Sequence, residues 1–471
     1  MRYVEHGRFR QQVRFLQCQF LQHSEMPFAN VLSAETVSQA LEAVGCCVLD
    51  RIYTPMVTLW VFLTQVLSAD HSCRAAIARL IAHRISQGNR PCSPESGAYC
   101  QARKRLPEQF FSNVARKAGQ TLDAQANPRW LWKQRRVYAF DGATVSMPDT
   151  PDNQEAYPQL YNQRPGLGFP LARIAAIFSL SCGAVVDLGI CRYAGKGQGE
   201  LSLLRALWGF FRAGDVLLTD RLMCSWTEIY LLKQRGIDSV TRLSKRRADF
   251  RRGKRLSNGD HIVQWRKPSM PRGMAWSDYK SMPAFLTMRE TLINVEQPGF
   301  RSQRIIVATT LLDDQAVSKA DLAQLYRARW NAELDLRSLK QTMQMEVLRC
   351  KTPSLVRKEI WTHILAYNLI RTIMAQAAAR YGIEPRSISF KGAIQTLEAF
   401  QPAIALKGPH SSVLLIQLFA QLLRAVARHR VADRPNRVEP RLKKRRPNHY
   451  HVLCRPRAEA KERMMKGLAA N

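Results

Sequence analysis

Four side chains, Tyr326, Arg329, Glu333 and Lys340, put one carboxylate among three groups suited to holding a phosphate. At about 100° per residue, their offsets of 0, 3, 7 and 14 from Tyr326 fall within an arc of roughly 60° on one helix. Arginine and lysine bond phosphate through charge-assisted hydrogen bonds, the strongest ordinary kind. The plainer reading is a solvated face on which Arg329 and Glu333 form an i, i+4 surface pair. Two further acids weigh against it, Asp141 and Asp220, each following a short, mostly apolar run, Val137–Phe140 and Val216–Thr219. Phosphodiester chemistry with two metal ions needs carboxylates from separate elements converging on cations about 3.5–4 Å apart. Magnesium keeps several waters and takes few protein carboxylates, so three acids suffice, without thiolate or imidazole.

The elements that must position these groups are legible. Ser318 reads as an N-cap, with Asp321 in the first turn, and no Gly or Pro interrupts Lys319 to Met343. Leu325, Ala332, Leu336, Leu339 and Met343 make an apolar stripe beside the polar four. Strands are expected at Leu171–Leu180, Ala184–Arg192, Ile237–Leu243 and Arg304–Leu311, and helices at Glu200–Phe211 and Trp226–Arg235. Antiparallel strands followed by helix, strand, helix and strand predict a mixed sheet with helices packed on it. Asp141 and Asp220 would then sit at strand ends, where sites on such sheets lie.

Around this core, Ser33 to about Asp123 reads as helical, and residues 1–132 are assigned to a helical N-terminal domain in which Arg103, Lys104 and Arg105 could touch DNA. Arg242 to Arg255 holds eight Lys or Arg in fourteen residues and reads as an exposed basic loop, so Arg246, Arg247, Arg251 and Arg252 are candidate DNA contacts. Residues 246–302 read as a β-rich insertion between the core segments 133–245 and 303–352, with strand-like pieces at His261–Arg266 and Phe285–Val295. Three helical stretches follow Pro353, near Val356–Tyr381, Phe390–Phe400 and Ser411–Arg430, making a C-terminal region, 353–430, with a possible dimer interface. Residues 431–471 read as a basic, flexible tail.

Composition narrows the partner. The 471 residues are 46% hydrophobic, enough for a substantial core in a multidomain α/β protein, and carry 71 Lys plus Arg against 37 Asp plus Glu, a net +34. A surface that positive attracts polyanions, nucleic acid first, through phosphate contacts and counterion release. An anionic membrane is the competing polyanion, but no basic amphipathic anchor or lipidation motif is present. The most apolar run, Tyr53 to Ser68, is short for a membrane span and reads as a buried helix. Eleven scattered cysteines with no C-x-x-C pair indicate neither disulfides nor zinc, and the ten histidines show no metal spacing; His363 reads as a satisfied core or interface residue. With no apolar signal core at the start of the chain, a cytoplasmic, nucleoid-associated protein is expected.

The chain resembles the DDE transposases of bacterial insertion sequences, and within them the insertion sequence four family. Tyr326-x2-Arg329-x3-Glu333-x6-Lys340 matches that group's Y-(2)-R-(3)-E-(6)-K signature at every position. Asp141-Gly142-Ala143-Thr144, with Pro148-Asp149 after it, resembles the first-aspartate box, with Ala143 where a small hydroxyl residue is common. Gly214-Asp215-Val216-Leu217-Leu218-Thr219-Asp220-Arg221 is similar to the second. The resemblance implies a ribonuclease-H-like core of mixed sheet and flanking helices, interrupted by a mainly β insertion; the 113 residues from Asp220 to Glu333 leave room for one.

By carry-over, Asp141, Asp220 and Glu333 would be the catalytic, metal-binding triad, holding two Mg²⁺ with Mn²⁺ as a substitute. Tyr326, Arg329 and Lys340 would hold the DNA backbone near the scissile phosphate. The implied activity is cut-and-paste transposition at terminal inverted repeats of double-stranded DNA, followed by joining to target DNA, by a homodimer on the DNA. Some members pass through a hairpin with an aromatic stacked on a displaced base, for which Trp265 and Trp276 are candidates. Other acids nearby, Asp149, Asp152, Asp187 and Asp215, read as structural or supporting. The alternatives are a structure-specific nuclease on the same core and a non-catalytic DNA-binding protein or transposition inhibitor.

Overall fold

The computed structural model describes residues 7–22, 27–28, 30–45, 51–244, 248–271, 273–294, 304–407, 412–431 and 451–469. Arg246 and Arg247, and most of the segment after 431, lie outside the described residues. The strands are β1 (Val137–Ser146), β2 (Leu171–Ser179), β3 (Val185–Arg192), β4 (Val216–Thr219), β5 (Asp238–Leu243), β6 (Lys254–Ser257), β7 (Asp260–Arg266), β8 (Phe285–Asn294) and β9 (Arg304–Thr309). They form one mixed sheet in the order β3-β2-β1-β4-β5-β9-β8-β7-β6. β1, β2 and β3 pair antiparallel, whereas β4 and β5 join β1 in parallel. This five-strand order, flanked by helices, is the ribonuclease-H-like core the motifs imply.

The insertion strands extend the same sheet. β9 pairs antiparallel with both β5 and β8, so the returning strand carries β6, β7 and β8 on the core's edge. A separate apolar cluster, including Trp226, Met288 and Ile306, lies under this half, and a buried Arg289–Asp260 pair at 2.6 Å ties β8 to β7. Two elements there escape the sequence reading: β6 at the end of the basic stretch, and a short helix at Trp276–Ser281. β6 is an edge strand with mostly exposed residues, so it has no alternating apolar pattern to read.

The Pro353–Tyr381 helix is the spine of the helical layer. It is buried for most of its length and packs against the helices Pro55–Leu67, Glu108–Ala124 and Ser412–Arg428 and against β3. The helices before residue 132 and those after Pro353 therefore share one core, and the spine has no face left for a second copy of the chain. Exposed apolar side chains in this region sit instead on the two following helices, at Leu406, Val413 and Ile416. Arg103, expected on the DNA side, is buried among Phe62, Tyr99 and Gln65, while Lys104 and Arg105 remain exposed. The segment expected to be without structure after 431 contains a helix at Arg457–Met465, with Glu459 paired to Arg164 at 3.8 Å.

One contact fixes how the helical layer docks on the sheet. A Cβ at Gly119 would lie 2.0 Å from the Val185 carbonyl oxygen and 2.7 Å from the Asn368 amide. Asn368 itself bonds both the N–H and C=O of Val185 and the Ala115 carbonyl, so this backbone approach is held from three sides. Gly119→Ala must push the Glu108–Ala124 helix off β3. We expect a loss of about 1–3 kcal/mol in urea unfolding, in line with overpacking of close-packed interiors.

Candidate active site

β1 explains how two acids far apart in sequence meet. It pairs in parallel with β4 as Val137↔Val216, Tyr138↔Leu217 and Ala139↔Leu218, and the same register carried two steps further sets Asp141 opposite Asp220. β4 stops at Thr219 while β1 runs on to Ser146, held by β2, which leaves an open notch beside Asp141. Asp141 is thus in the middle of its strand, contrary to the strand-end position expected. The Gly142-Ala143-Thr144 continuation has weak strand propensity and is carried by the full-length ladder to β2.

The third acid comes from above the notch. The helix expected to be continuous from Lys319 to Met343 is three pieces: Lys319–Ala328, Trp330–Arg337 and a π turn at Ser338–Thr342. Its start is as read, a capping box between Ser318 and Asp321. The break falls at Arg329, where bonds from Arg329 N–H to Tyr326 O and from Ala332 N–H to Arg329 O tighten the turn. The π turn is closed by Met343 N–H on Ser338 O. Such single wide turns are frequent at functional sites. Beyond it, Glu346 and Leu348 bond the backbone of Ser146, anchoring the turn to the end of β1.

Asp141, Asp220 and Glu333 line one cleft of about 400 Å³, together with Arg329, Arg337, Lys340, Gln341 and Glu346. Asp141 accepts a hydrogen bond from Gly142 N–H at 2.9 Å and Asp220 one from Leu222 N–H at 2.9 Å. Arg329, only 16% exposed, lies between two of the acids, 2.8 Å from Glu333 and 3.9 Å from Asp141. Lys340 reaches Glu346 at 3.3 Å. Tyr326, read as a phosphate contact, is instead turned inward. It is 7% exposed, its hydroxyl donates to the Thr219 carbonyl at 3.5 Å, and burial pushes it up to about 12. It braces the end of β4 rather than lining the cleft.

Three features here escape the sequence reading. Glu200 lies directly behind Gly142, where a Cβ would come within 2.7 Å of its carboxyl. Nothing in a helix-starting glutamate marks it as a neighbour of the site. Arg337 and Gln341 line the cleft; Arg337 is one turn beyond Glu333, a spacing that could have found it. Arg251 and Arg252 are described and exposed, with Arg252 paired to Asp249 at 3.1 Å, and neither lines the cleft. Of the candidate stacking residues, Trp265 is held by its indole N–H on Glu290 at 2.7 Å, whereas Trp276 is 64% exposed.

The donor set fits a hard divalent cation: three carboxylates from three elements, with neither thiol nor imidazole in the cleft. Their electrostatics are strained without a cation. Burial, then the charges of Glu333 and Glu200, push Asp141 up to about 6, against the pull of Gly142 N–H and Arg329. A carboxyl raised on folding contributes stability that is full below about pH 4 and is lost as pH rises through about 6. At pH 7.5 the cation-free protein therefore carries an unfavourably ionised Asp141. Asp141→Asn is expected to stabilise the cation-free protein by about 1–3 kcal/mol at pH 7.5, an advantage that vanishes below about pH 4. Urea unfolding at the two pH values checks it.

The profile of the transposase DDE domain family matches residues 132–369. Transposase InsG for insertion sequence element IS4, of Escherichia coli strain K12, is 27% identical over 427 residues, covering 89% of this chain and 92% of that protein. The putative transposase InsL for insertion sequence element IS186A, of the same strain, is 34% identical over 70 residues, 15% of this chain and 19% of that protein. Among solved structures, the piggyBac transposase synaptic complex with hairpin DNA aligns with a TM-score of 0.42 at 10% identity, over 87% of this chain and 85% of that one.

Proposed function

The chain belongs to the transposase DDE domain family, whose profile spans just over half of it, and from that premise we propose that it excises and reinserts an insertion sequence by cutting and joining DNA at terminal inverted repeats. It is a DNA transposase, and enzymes of this family depend on divalent metal. The observation that carries the finer reading is the register of β1 and β4, which sets Asp141 opposite Asp220 under Glu333 in a cleft rimmed by Arg337 and Lys340. InsG of IS4, alike over most of both chains, supports placing the protein in the insertion sequence four family.

Asp141, Asp220 and Glu333, which line one cleft, would hold the cations, which we take to be two Mg²⁺. Bound there, the cations supply activation of the attacking oxygen and charge stabilisation of the leaving one. Arg329 pairs with Glu333 and lies 3.9 Å from Asp141, and its planar guanidinium would be placed to take a backbone phosphate beside the acids. Lys340, Arg337 and Gln341 form the cleft wall along which the strand lies. Trp276, exposed on the insertion, is the aromatic better placed to stack a displaced base. We retain the division into an N-terminal helical unit (1–132), a split core (133–245 and 303–352), an insertion (246–302), a C-terminal region (353–430) and a basic tail as functional units, with a homodimer acting on the DNA at the nucleoid.

DNA carrying the element's ends, incubated with the protein and Mg²⁺, tests this reading. Free ends together with ends joined to target DNA are expected. Cut but never joined ends would indicate a structure-specific nuclease, and no cutting with any divalent cation a non-catalytic DNA-binding protein. Lys340→Ala is expected to lower affinity for end DNA about tenfold and to flatten the dependence of log K on log salt by about one unit, read by fluorescence anisotropy across a salt series.

A further inference from the structure

A second cluster of metal-ligand type lies away from the cleft, between the helical layer and the segment leaving the π turn. Glu359 and His363 are one turn apart on the Pro353–Tyr381 helix, so they project from one face. His71, in the loop after the Pro55–Leu67 helix, comes from the other side, with ring centroids 5.3 Å from His363. All three are buried, and one ligand atom from each lies within 4.8 Å of the others.

What sets the cluster apart from ordinary core packing is unmet hydrogen bonding. Nδ1 of His71 and both ring nitrogens of His363 have no hydrogen-bond partner among the described residues, so His363 is not the satisfied core residue expected from sequence. Buried polar groups in native proteins are nearly always paired, and an imidazole with two open nitrogens in a core needs an explanation. The backbone supplies a second sign. His71 has a φ of 52°, a left-handed conformation uncommon for histidine, fixed by its N–H on Ser68 O and by Gln65 donating to its carbonyl at 3.0 Å. That conformation is part of what aims the ring at His363.

Glu359 completes the set and links it to the catalytic side. Its carboxylate accepts the N–H groups of Arg349 and Cys350 at 2.9–3.1 Å, and an oxygen so bonded keeps a lone pair for an ion. Two imidazoles and a carboxylate make a zinc-type donor set, unlike the all-carboxylate cleft. A tetrahedral ion at about 2.0–2.2 Å from each ligand would draw the donor atoms to roughly 3.3 Å apart.

We propose that His71, Glu359 and His363 bind a zinc-type transition ion that staples the N-terminal helices to the central helix and, through Glu359, to the backbone leaving the catalytic π turn. The proposal is independent of the reading of the cleft. It is tested on full-length protein carrying Asp141→Ala, Asp220→Ala and Glu333→Ala, which removes the three cleft acids, purified without a histidine tag, stripped by chelator and titrated with zinc alone against a chromogenic chelator. One zinc per chain, tighter than about 1 µM, is expected, with nitrogen and oxygen neighbours at about 2.0–2.1 Å in X-ray absorption and a rise in Tm on loading. His71→Asn and His363→Gln should each weaken binding by about a hundredfold or more and abolish that rise. Asparagine tolerates positive φ, so His71→Asn tests the ligand without breaking the loop. No stoichiometric zinc, or zinc bound equally by the parent and both variants, would overturn the proposal.

Discussion

Asp220→Ala protein is expected to bind end-containing DNA as tightly as wild type and to cut it at least about a thousandfold more slowly, with strand joining lost in parallel. The expectation rests on where Asp220 stands. Its carboxylate occupies the first position past the end of β4, across from Asp141, and one oxygen already caps the short turn at Arg221–Met223 through Leu222 N–H. Asp220 lines the same cleft as Glu333. Alanine removes one of the three acids proposed to hold the cations, while the local fold keeps its main tether, the Thr241 hydroxyl donating to the Asp220 backbone carbonyl at 2.8 Å. Thermal unfolding close to wild type, beside lost cleavage in a single-turnover gel assay, is the expected pair of results. Cleavage within about tenfold of wild type would remove Asp220 from the reaction.

The largest effect on stability is expected from Asp335→Ala, about 3–5 kcal/mol in urea unfolding. Asp335 lies two residues past Glu333 on the buried side of the same helix, 1% exposed. It pairs with Arg371 of the central helix and with Arg386 at 2.6 Å, and Arg386 also donates to the Ser179 and Leu180 carbonyls at the end of β2. One carboxylate thus joins the helix carrying Glu333, the spine of the helical layer and the catalytic sheet. Removing it leaves two arginines in low-dielectric surroundings with a charge they cannot shed, which is why breaking a buried pair costs far more than the pair contributes. Asp335→Asn, which keeps the shape and part of the hydrogen bonding, should lose less. A change below about 1 kcal/mol for the alanine variant would show that solvent reaches this cluster.

The parts of this architecture that sequence revealed are those written in local pattern. Val216–Thr219 is a strand at its predicted bounds because three apolar residues and a threonine stand between a glycine turn and Asp220, and Ser318 is an N-cap because its hydroxyl and Asp321 satisfy the first free N–H groups. The three acids, which the fold brings to one cleft, stand out in sequence because each sits next to such a pattern. What stayed hidden depends on partners distant in the chain. β1 runs through Asp141 because β2 pairs with it along its length. The breaks at Arg329 and Ser338 carry no Gly or Pro and follow from docking against β1 and the 346–348 segment. Tyr326 shares the helical arc of Glu333 in an ideal helix, yet the bend at Arg329 turns it into the core. Asp335 reads as one more surface charge until Arg371 and Arg386, 36 and 51 residues away, are brought to it. His71 and His363 show no metal spacing in sequence because the fold alone makes them neighbours.

The central claim, that Asp141, Asp220 and Glu333 hold the cations that cut DNA, is tested most directly by changing the softness of one ligand. A thiolate in place of a carboxylate disfavours Mg²⁺ and is better matched to Mn²⁺ or Cd²⁺. Cleavage of end DNA by Asp220→Cys and Glu333→Cys proteins should be lost in Mg²⁺ and regained at least about tenfold in Mn²⁺ or with added Cd²⁺, while the alanine variants stay inactive in every cation. Cysteine and alanine variants that cut alike, and with the wild-type preference for Mg²⁺, would contradict the assignment.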